Sequence, residues 1–287
     1  MHSDKNLDVV ILGAPRSGTN MLREVLTSLP DVCTWPCDEI NYIWRYGNRA
    51  AENDEFDVRM VTSEISSYVR CCFDAIRRKY NCNVVVEKTC ANTLRVPYVK
   101  SILPNAKYIF IIRDGIDAVG SAKERWAASL NIPYIFSKAR FIPLRDIPYY
   151  TYKYFISRIR KLMSKDGRLP TWGPIYSGMP DNAENLLLTD ICALQWQKCV
   201  EAADQALCQF GVDEFIYIRY EEFVTDPLNQ CKNIVNFLGL CLDDIDIEKA
   251  VAAVSNNSLG KGRSSLGVDE VKRLESLIGN TLNKFGY

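Results

Sequence analysis

LDVVILGAPRSGTNMLREVLTSL, residues 7 to 29, decides how the chain is read. Leu7 to Leu12 is a continuous β-branched, apolar run of strand length, and it feeds directly into GAPRSGTN, residues 13 to 20. From Thr19 to Leu29 the apolar residues recur at helical spacing. Strand, glycine loop and helix in that order aim backbone N–H groups and a helix N-terminus at an anion. Gly13 and Gly18 have four residues between them, the spacing of a phosphate-cradling loop, and both let the backbone approach a ligand closely. Arg16 adds a planar charged fork suited to phosphate or sulfate oxygens. Ser17, Thr19 and Asn20 add donors. A glycine pair also occurs in ordinary βα turns; PRSGT after an apolar strand is the context that makes this one an anion site.

Two positions exclude the commonest occupant of such a loop. A magnesium-triphosphate site continues with lysine and then a metal-binding hydroxyl, and this chain has Thr19 and Asn20 there. That fits a nucleotide with a shorter, metal-free 5′ group, held by fixed protein cations. Lys88, in VVVEKTCAN at the end of a second strand, emerges on the same sheet edge, where open α/β sheets bind ligands; a solvated strand-end lysine is the plain alternative. Arg113 ends a third strand, KYIFIIR, and Ser121 follows eight residues later, two turns into the next helix. That pair can clamp a second phosphate, with Arg125 one turn further along. The plain alternatives are a strand-end ion pair for Arg113 and a solvated helix face for Arg125.

Strand-like runs at Asn83–Glu87, Lys107–Arg113 and Glu214–Arg219 alternate with helical patterns near Arg95–Leu103, at Asp114–Trp126, and from Asp226-Pro227 onward. Continuous apolar strands between helices predict an α/β fold, a parallel sheet flanked by helices. The chain of 287 residues reads as one domain, 1–287. Within it, residues 127 to 185 are rich in Pro, aromatic and basic residues and read as an irregular, partly helical insertion on the substrate side.

Formal net charge is zero, so nothing global recruits nucleic acid or an anionic membrane. Apolar runs such as Tyr108–Ile112 are too short to span a bilayer, and MHSDKNLDVV has no signal-peptide segment, which predicts a cytoplasmic protein. The eleven cysteines are scattered, several of them within apolar stretches (Cys192, Cys199, Cys208, Cys231, Cys241). They are expected to be reduced core thiols without a disulfide framework. The sole histidine is His2, in the N-terminal tail, so no metal site is expected.

Together these motifs resemble the sulfotransferase family that uses 3′-phosphoadenosine-5′-phosphosulfate, over about Asp8 to the final FGY. GAPRSGT is similar to its 5′-phosphosulfate loop, and Arg113 with Ser121 to its 3′-phosphate site. Tyr220, in IRYEEF, resembles the family's strand-end tyrosine, which packing on the sheet would also explain. SNNSLGKGRSSL, within residues 255–266, resembles the loop that closes over the nucleotide, with Ser258, Lys261, Gly262 and Arg263; a solvated basic loop is the alternative. The resemblance implies a P-loop-like fold, no metal, and motifs nearer the bacterial and tyrosylprotein branches than the histidine-base cytosolic branch. Three residues depart from the pattern: Asn20 replaces a hydroxyl, Ile116 stands where the tyrosylprotein branch has arginine, and the closing loop lacks a tryptophan common in relatives.

Sulfuryl transfer to a hydroxyl needs a base, and His2, ahead of the first strand, cannot serve. Glu39, in PDVCTWPCDEINYIW, resembles with a two-residue insertion the second glutamate of the pair that is the base in the tyrosylprotein branch. Asp38 is its rival, and capping of the next helix is the plain alternative for both. The resemblance then gives Arg16 and Lys88 the transferring group, with Ser258 assisting, while Trp35, Tyr42 and Trp44 desolvate the carboxylate. Ten aromatics between Tyr134 and Tyr176 favour a ring-bearing small-molecule acceptor, such as a natural product. The basic run Arg158, Arg160, Lys161, Lys165 reads as a solvated helix face, or else as a contact for an acidic acceptor. Peptide tyrosine or glycan acceptors, a P-loop kinase and a non-catalytic nucleotide-binding scaffold are the rival readings. Oligomeric state is not fixed by the sequence, and a homodimer stays open.

Overall fold

The computed structural model describes residues 6–127, 140–152, 156, 173–179 and 186–287. Much of the 127–185 insertion, including its basic run, lies outside the described residues. In chain order the elements are β1 Leu7–Leu12, α1 Thr19–Thr27, β2 Val32–Cys33, α2 Asn41–Trp44, α3 Ser63–Tyr80, β3 Val84–Lys88, α4 Val96–Ile102, β4 Lys107–Ile112 and α5 Gly115–Ala127. After the insertion come α6 Leu188–Leu207, β5 Phe215–Arg219, α7 Tyr220–Thr225, α8 Pro227–Leu238, α9 Asp244–Val251, α10 Lys261–Ser264 and α11 Val268–Lys284.

The strands form one parallel sheet in the order β2-β3-β1-β4-β5. β1 lies between β3 and β4, so Ile11 faces Lys88 across one ladder and Ile109 across the other. Both faces of the sheet are covered, which is why its central strands read as unbroken apolar runs. Val9, Ile11, Ile109 and Ile111 pack with Leu22, Leu26, Ile234 and Val235 on one face. Val10, Leu12, Phe110 and Ile112 pack with Val99, Cys199, Leu274 and Ile278 on the other. From β1 the chain builds outward to β2 and β3 on one side and to β4 and β5 on the other. That reversal opens a crevice beyond the strands' C-terminal ends, and the glycine loop, Lys88, Arg113 and Tyr220 all lie at those ends.

The helix expected at Asp226-Pro227 begins there, with Pro227 in its first turn and Asp226 accepting from Asn229 N–H at 3.4 Å. It stops at Gly239, whose φ of 71° is the left-handed conformation of a helix C-cap. Among the described residues no helix is long and apolar enough to cross a membrane.

The expectation of fully reduced cysteines is corrected at one pair, for Cys33 and Cys82 form a disulfide with a Cα–Cα distance of 6.2 Å. Parallel pairing of Val32 with Val84 brings β2 against the start of β3 and sets the two cysteines side by side. A two-residue strand has no periodicity to reveal that pairing in advance. Cys192, Cys199 and Cys231 are buried thiols as expected, whereas Cys208 and Cys241 are exposed. Thiol titration of the denatured, non-reduced protein should therefore find nine free thiols, leaving Cys33 and Cys82 unreactive. Full titration of every cysteine without a reductant would contradict the bond.

Candidate active site

The glycine loop is shaped by contacts that forbid side chains. A Cβ on Gly13 would come within 2.8 Å of the Ile111 carbonyl oxygen on β4. Gly18 has φ of 86°, and a Cβ there would lie 2.4 Å from the Tyr220 ring. Arg16 also takes a positive φ, 69°, which turns the loop so that its side chain reaches α5. There its Nε donates to Ser121 Oγ at 3.0 Å. Ser17 is fully buried, and among the described residues its Oγ has no hydrogen-bond partner. Thr19 is buried with its Oγ1 3.8 Å from Cys90 Sγ, and Asn20 is exposed at the start of α1.

Arg113 ties several of the expected residues into one cluster. Its Nη1 donates to the Arg16 carbonyl at 3.0 Å and its Nη2 to the Ser258 carbonyl at 2.8 Å. Its guanidinium carbon lies 4.5 Å from the centre of the buried Tyr220 ring. Tyr220 therefore supports both the loop, under Gly18, and the arginine. Of the closing segment, Gly262 is buried against α5 and Lys261 is exposed. Arg263 turns to Asp114 Oδ2 at 3.3 Å and to Glu275 Oε1 at 2.7 Å. The Arg125 side chain lies outside the described residues.

Across the crevice, Lys88 is not a solvated strand-end lysine. Its side chain is 2% exposed, and its Nζ donates to Glu39 Oε1 at 3.1 Å. The Cys90 N–H points at the same oxygen from 3.4 Å. Burial alone would lower the Lys88 pKa; the adjoining Glu39 charge, with that of Asp38, outweighs it and holds the ammonium above its usual value. Glu39 is thus the carboxylate brought to the cation, and Asp38 bears on Lys88 through its charge. Trp35 and Trp44 are buried edge-on to Phe73 beneath this loop, while Tyr42 meets Tyr150 edge-on at 4.6 Å.

Several residues that matter here carry no sequence signal of their own. Glu87 is wholly buried beside Lys88. It accepts from Thr89 Oγ1 and, at 2.9 Å, from Asn92 Nδ2. Thr89 Oγ1 in turn accepts the Ile40 N–H at 3.2 Å, which fixes the backbone next to Glu39. Glu221, after Tyr220, accepts from the Asp114 N–H at 2.9 Å and from Tyr287 Oη at 2.8 Å. Asp117 accepts from Arg113 Nε at 2.9 Å and from backbone N–H groups of the closing segment. The place of Glu87 in VVVEK, a continuous strand buried on both faces, would have marked it as inward, but not what it would hold.

A sequence model described as the sulfotransferase family matches residues 8–172 and 155–244. The chain belongs to the sulfotransferase family. Its fold is similar to that of sulfotransferase STF9 from Mycobacterium avium, at 11% identity, TM-score 0.53, over 98% of this chain and 77% of that one. The sulfotransferase domain of the curacin biosynthetic pathway aligns at 12% identity, TM-score 0.55, over 96% and 98% respectively. Mouse sulfotransferase SULT7A1, solved in complex with PAP, aligns at 15% identity, TM-score 0.52, over 96% and 85%. No curated protein matches the chain in sequence.

Burial raises the Glu87 pKa to about 7, against the opposing hydrogen bond from Thr89 and the charges of Arg95 and Lys88. A carboxyl whose folded pKa lies above its unfolded value of 4.5 adds stability below that value and loses it as pH climbs through about 7. Urea denaturation should show wild type losing stability relative to Glu87→Gln between pH 5 and pH 8. A constant difference across that range would show Glu87 titrating normally.

Proposed function

We propose that the chain transfers a sulfuryl group from 3′-phosphoadenosine-5′-phosphosulfate to a hydroxyl of a small-molecule acceptor, with Glu39 as the base. The observation that carries this reading is the meeting of two clusters at one sheet edge: the Lys88–Glu39 pair, and Arg16, Ser121 and Arg113 around the glycine loop. The cradle fits such a nucleotide on its own terms. Ser17 keeps a buried hydroxyl without a partner among the described residues, in a loop that Gly13 and Gly18 let pack tightly against Ile111 and Tyr220. The bound donor supplies an activated sulfuryl group on a phosphate leaving group.

The chain's own residues would divide the remaining work. The loop N–H groups, Ser17 and Thr19 hold the 5′ end, and Ser121 with Arg113 holds the 3′ end. Arg16 and Lys88 provide fixed positive charge where negative charge accumulates, in a site that needs no reorganisation. Glu39 removes the proton from the acceptor hydroxyl, and its bond to the Cys90 N–H keeps it aimed. Pairing of Lys88 with Glu39 holds both groups in place before ligands enter. The exposed Ser258 side chain is assigned an assisting contact, and Lys261 and Arg263 the nucleotide's rim. The partner is assigned as the small-molecule acceptor, with a homodimer left open, and the buried free thiols support a cytoplasmic setting, against which the Cys33–Cys82 bond stands.

Adenosine 3′,5′-bisphosphate should raise the melting temperature, while ATP with magnesium should leave it unchanged. In sulfuryl transfer from labelled donor to a metabolite pool, Glu39→Gln should lower turnover by about a hundredfold or more, the scale of a general base. Its binding of adenosine 3′,5′-bisphosphate, which carries no sulfuryl group, should stay within about threefold of wild type, because Glu39 pairs with Lys88 and not with the residues assigned to the two phosphates. Stabilisation by magnesium-ATP would favour a kinase-like site, and full turnover by Glu39→Gln would place the base elsewhere.

A further inference from the structure

Asp117 stands four residues after Arg113, in the first turn of α5, and is almost completely buried. One carboxylate there receives an unusual number of donors. Arg113 reaches its Oδ2 through Nε at 2.9 Å and also through Nη2. The N–H groups of Gly262 and Arg263 meet Oδ1 at 2.6 and 3.1 Å, and that of Gly260 meets Oδ2 at 3.3 Å. The first turn of α10 is thus satisfied by a side chain from a helix more than a hundred residues earlier.

Steric fit brings the same two segments together. A Cβ on Gly120 would lie 2.0 Å from the Gly262 carbonyl oxygen, and a Cβ on Gly262 would lie 1.8 Å from the Asp117 carbonyl oxygen. Neither glycine has a positive φ, so close approach is what demands them, not backbone conformation. A guanidinium has five N–H donors. Those of Arg113 go to Asp117 twice, to the Arg16 carbonyl and to the Ser258 carbonyl, leaving one on Nη1. Arg113 is therefore the point where glycine loop, α5 and closing segment are joined, and Asp117 orients it.

We propose that Asp117 is a positioning residue that fastens residues 258–264 to Arg113 before the nucleotide arrives, so that nucleotide affinity depends on a closing segment ordered in advance. The proposal rests on the reading of the cradle as a site for a nucleotide with phosphate at both ends. Ordering a segment during folding spares the binding step that entropy cost. Removing the carboxylate charge leaves Arg113 buried without its counter-ion, which costs far more than the pair contributes. A free, unfastened arginine would act in the opposite way and grip phosphate better once Asp117 is gone.

The test uses the full chain, calorimetric titration with adenosine 3′,5′-bisphosphate, and tryptic cleavage after the exposed Lys261 and the neighbouring Arg263 without nucleotide. Asp117→Asn keeps the shape and removes the charge. Gly120→Ala changes no polar group and pushes the segment away from α5, so it serves if the first variant folds poorly. Both should weaken binding by about tenfold or more, the scale of losing one partner of a buried charge pair, and both should be cut faster than wild type. Binding as tight as wild type, or tighter, in both variants overturns the proposal, and unchanged cleavage overturns the fastening itself. If the wild type does not bind while the variants are still cut faster, the nucleotide reading has failed and the affinity claim falls with it.

Discussion

The site depends on where β1 sits. With β3 on one side and β4 on the other, all parallel, the loops after these strands emerge at one edge within reach of each other. Lys88 is the last residue of β3 and Arg113 the residue after β4, so the two cations flank the Gly13–Gly18 loop because the ladder register puts them there. The close contact of Gly13 with the Ile111 carbonyl oxygen seats the loop on β4, and Tyr220, at the end of β5, fills the space beneath Gly18. A sheet in any other order would scatter the same residues.

On this frame the charges come in compensated pairs. Lys88 is buried with Glu39, Arg113 with Asp117, and Arg95 beside Asp54 at 3.5 Å. A buried cation without a partner would be costly, and each pairing also fixes a geometry. The pairing has a chemical consequence for Lys88: its proton is held firmly, so it acts as a fixed positive charge and not as an acid or base. In the proposed reaction, proton removal is left to the carboxylate.

Much of this was legible in the sequence because the strands are continuous and the glycine loop follows one of them directly. The runs at Leu7–Leu12 and Lys107–Ile112 are strands of a parallel sheet, and Gly13, Arg16, Arg113 and Ser121 gather as their positions after strands suggested. What the sequence withheld are contacts between segments distant in the chain. Asp117 reads as one more acidic residue on a helix until Gly262 and Arg263 are seen to donate to it. Cys33 and Cys82 are 49 residues apart, and only the β2–β3 pairing brings them together. Lys88 looks like any strand-end lysine, and its burial is decided by the loop that carries Glu39, which has no periodic pattern of its own.

The most direct measurement is a crystal structure of the protein with adenosine 3′,5′-bisphosphate. The account requires the 5′-phosphate against the N–H groups of residues 13–19 and the 3′-phosphate beside Ser121 and Arg113. A nucleotide lying away from both clusters, or cradled with its phosphates toward the opposite end of the sheet, would contradict it.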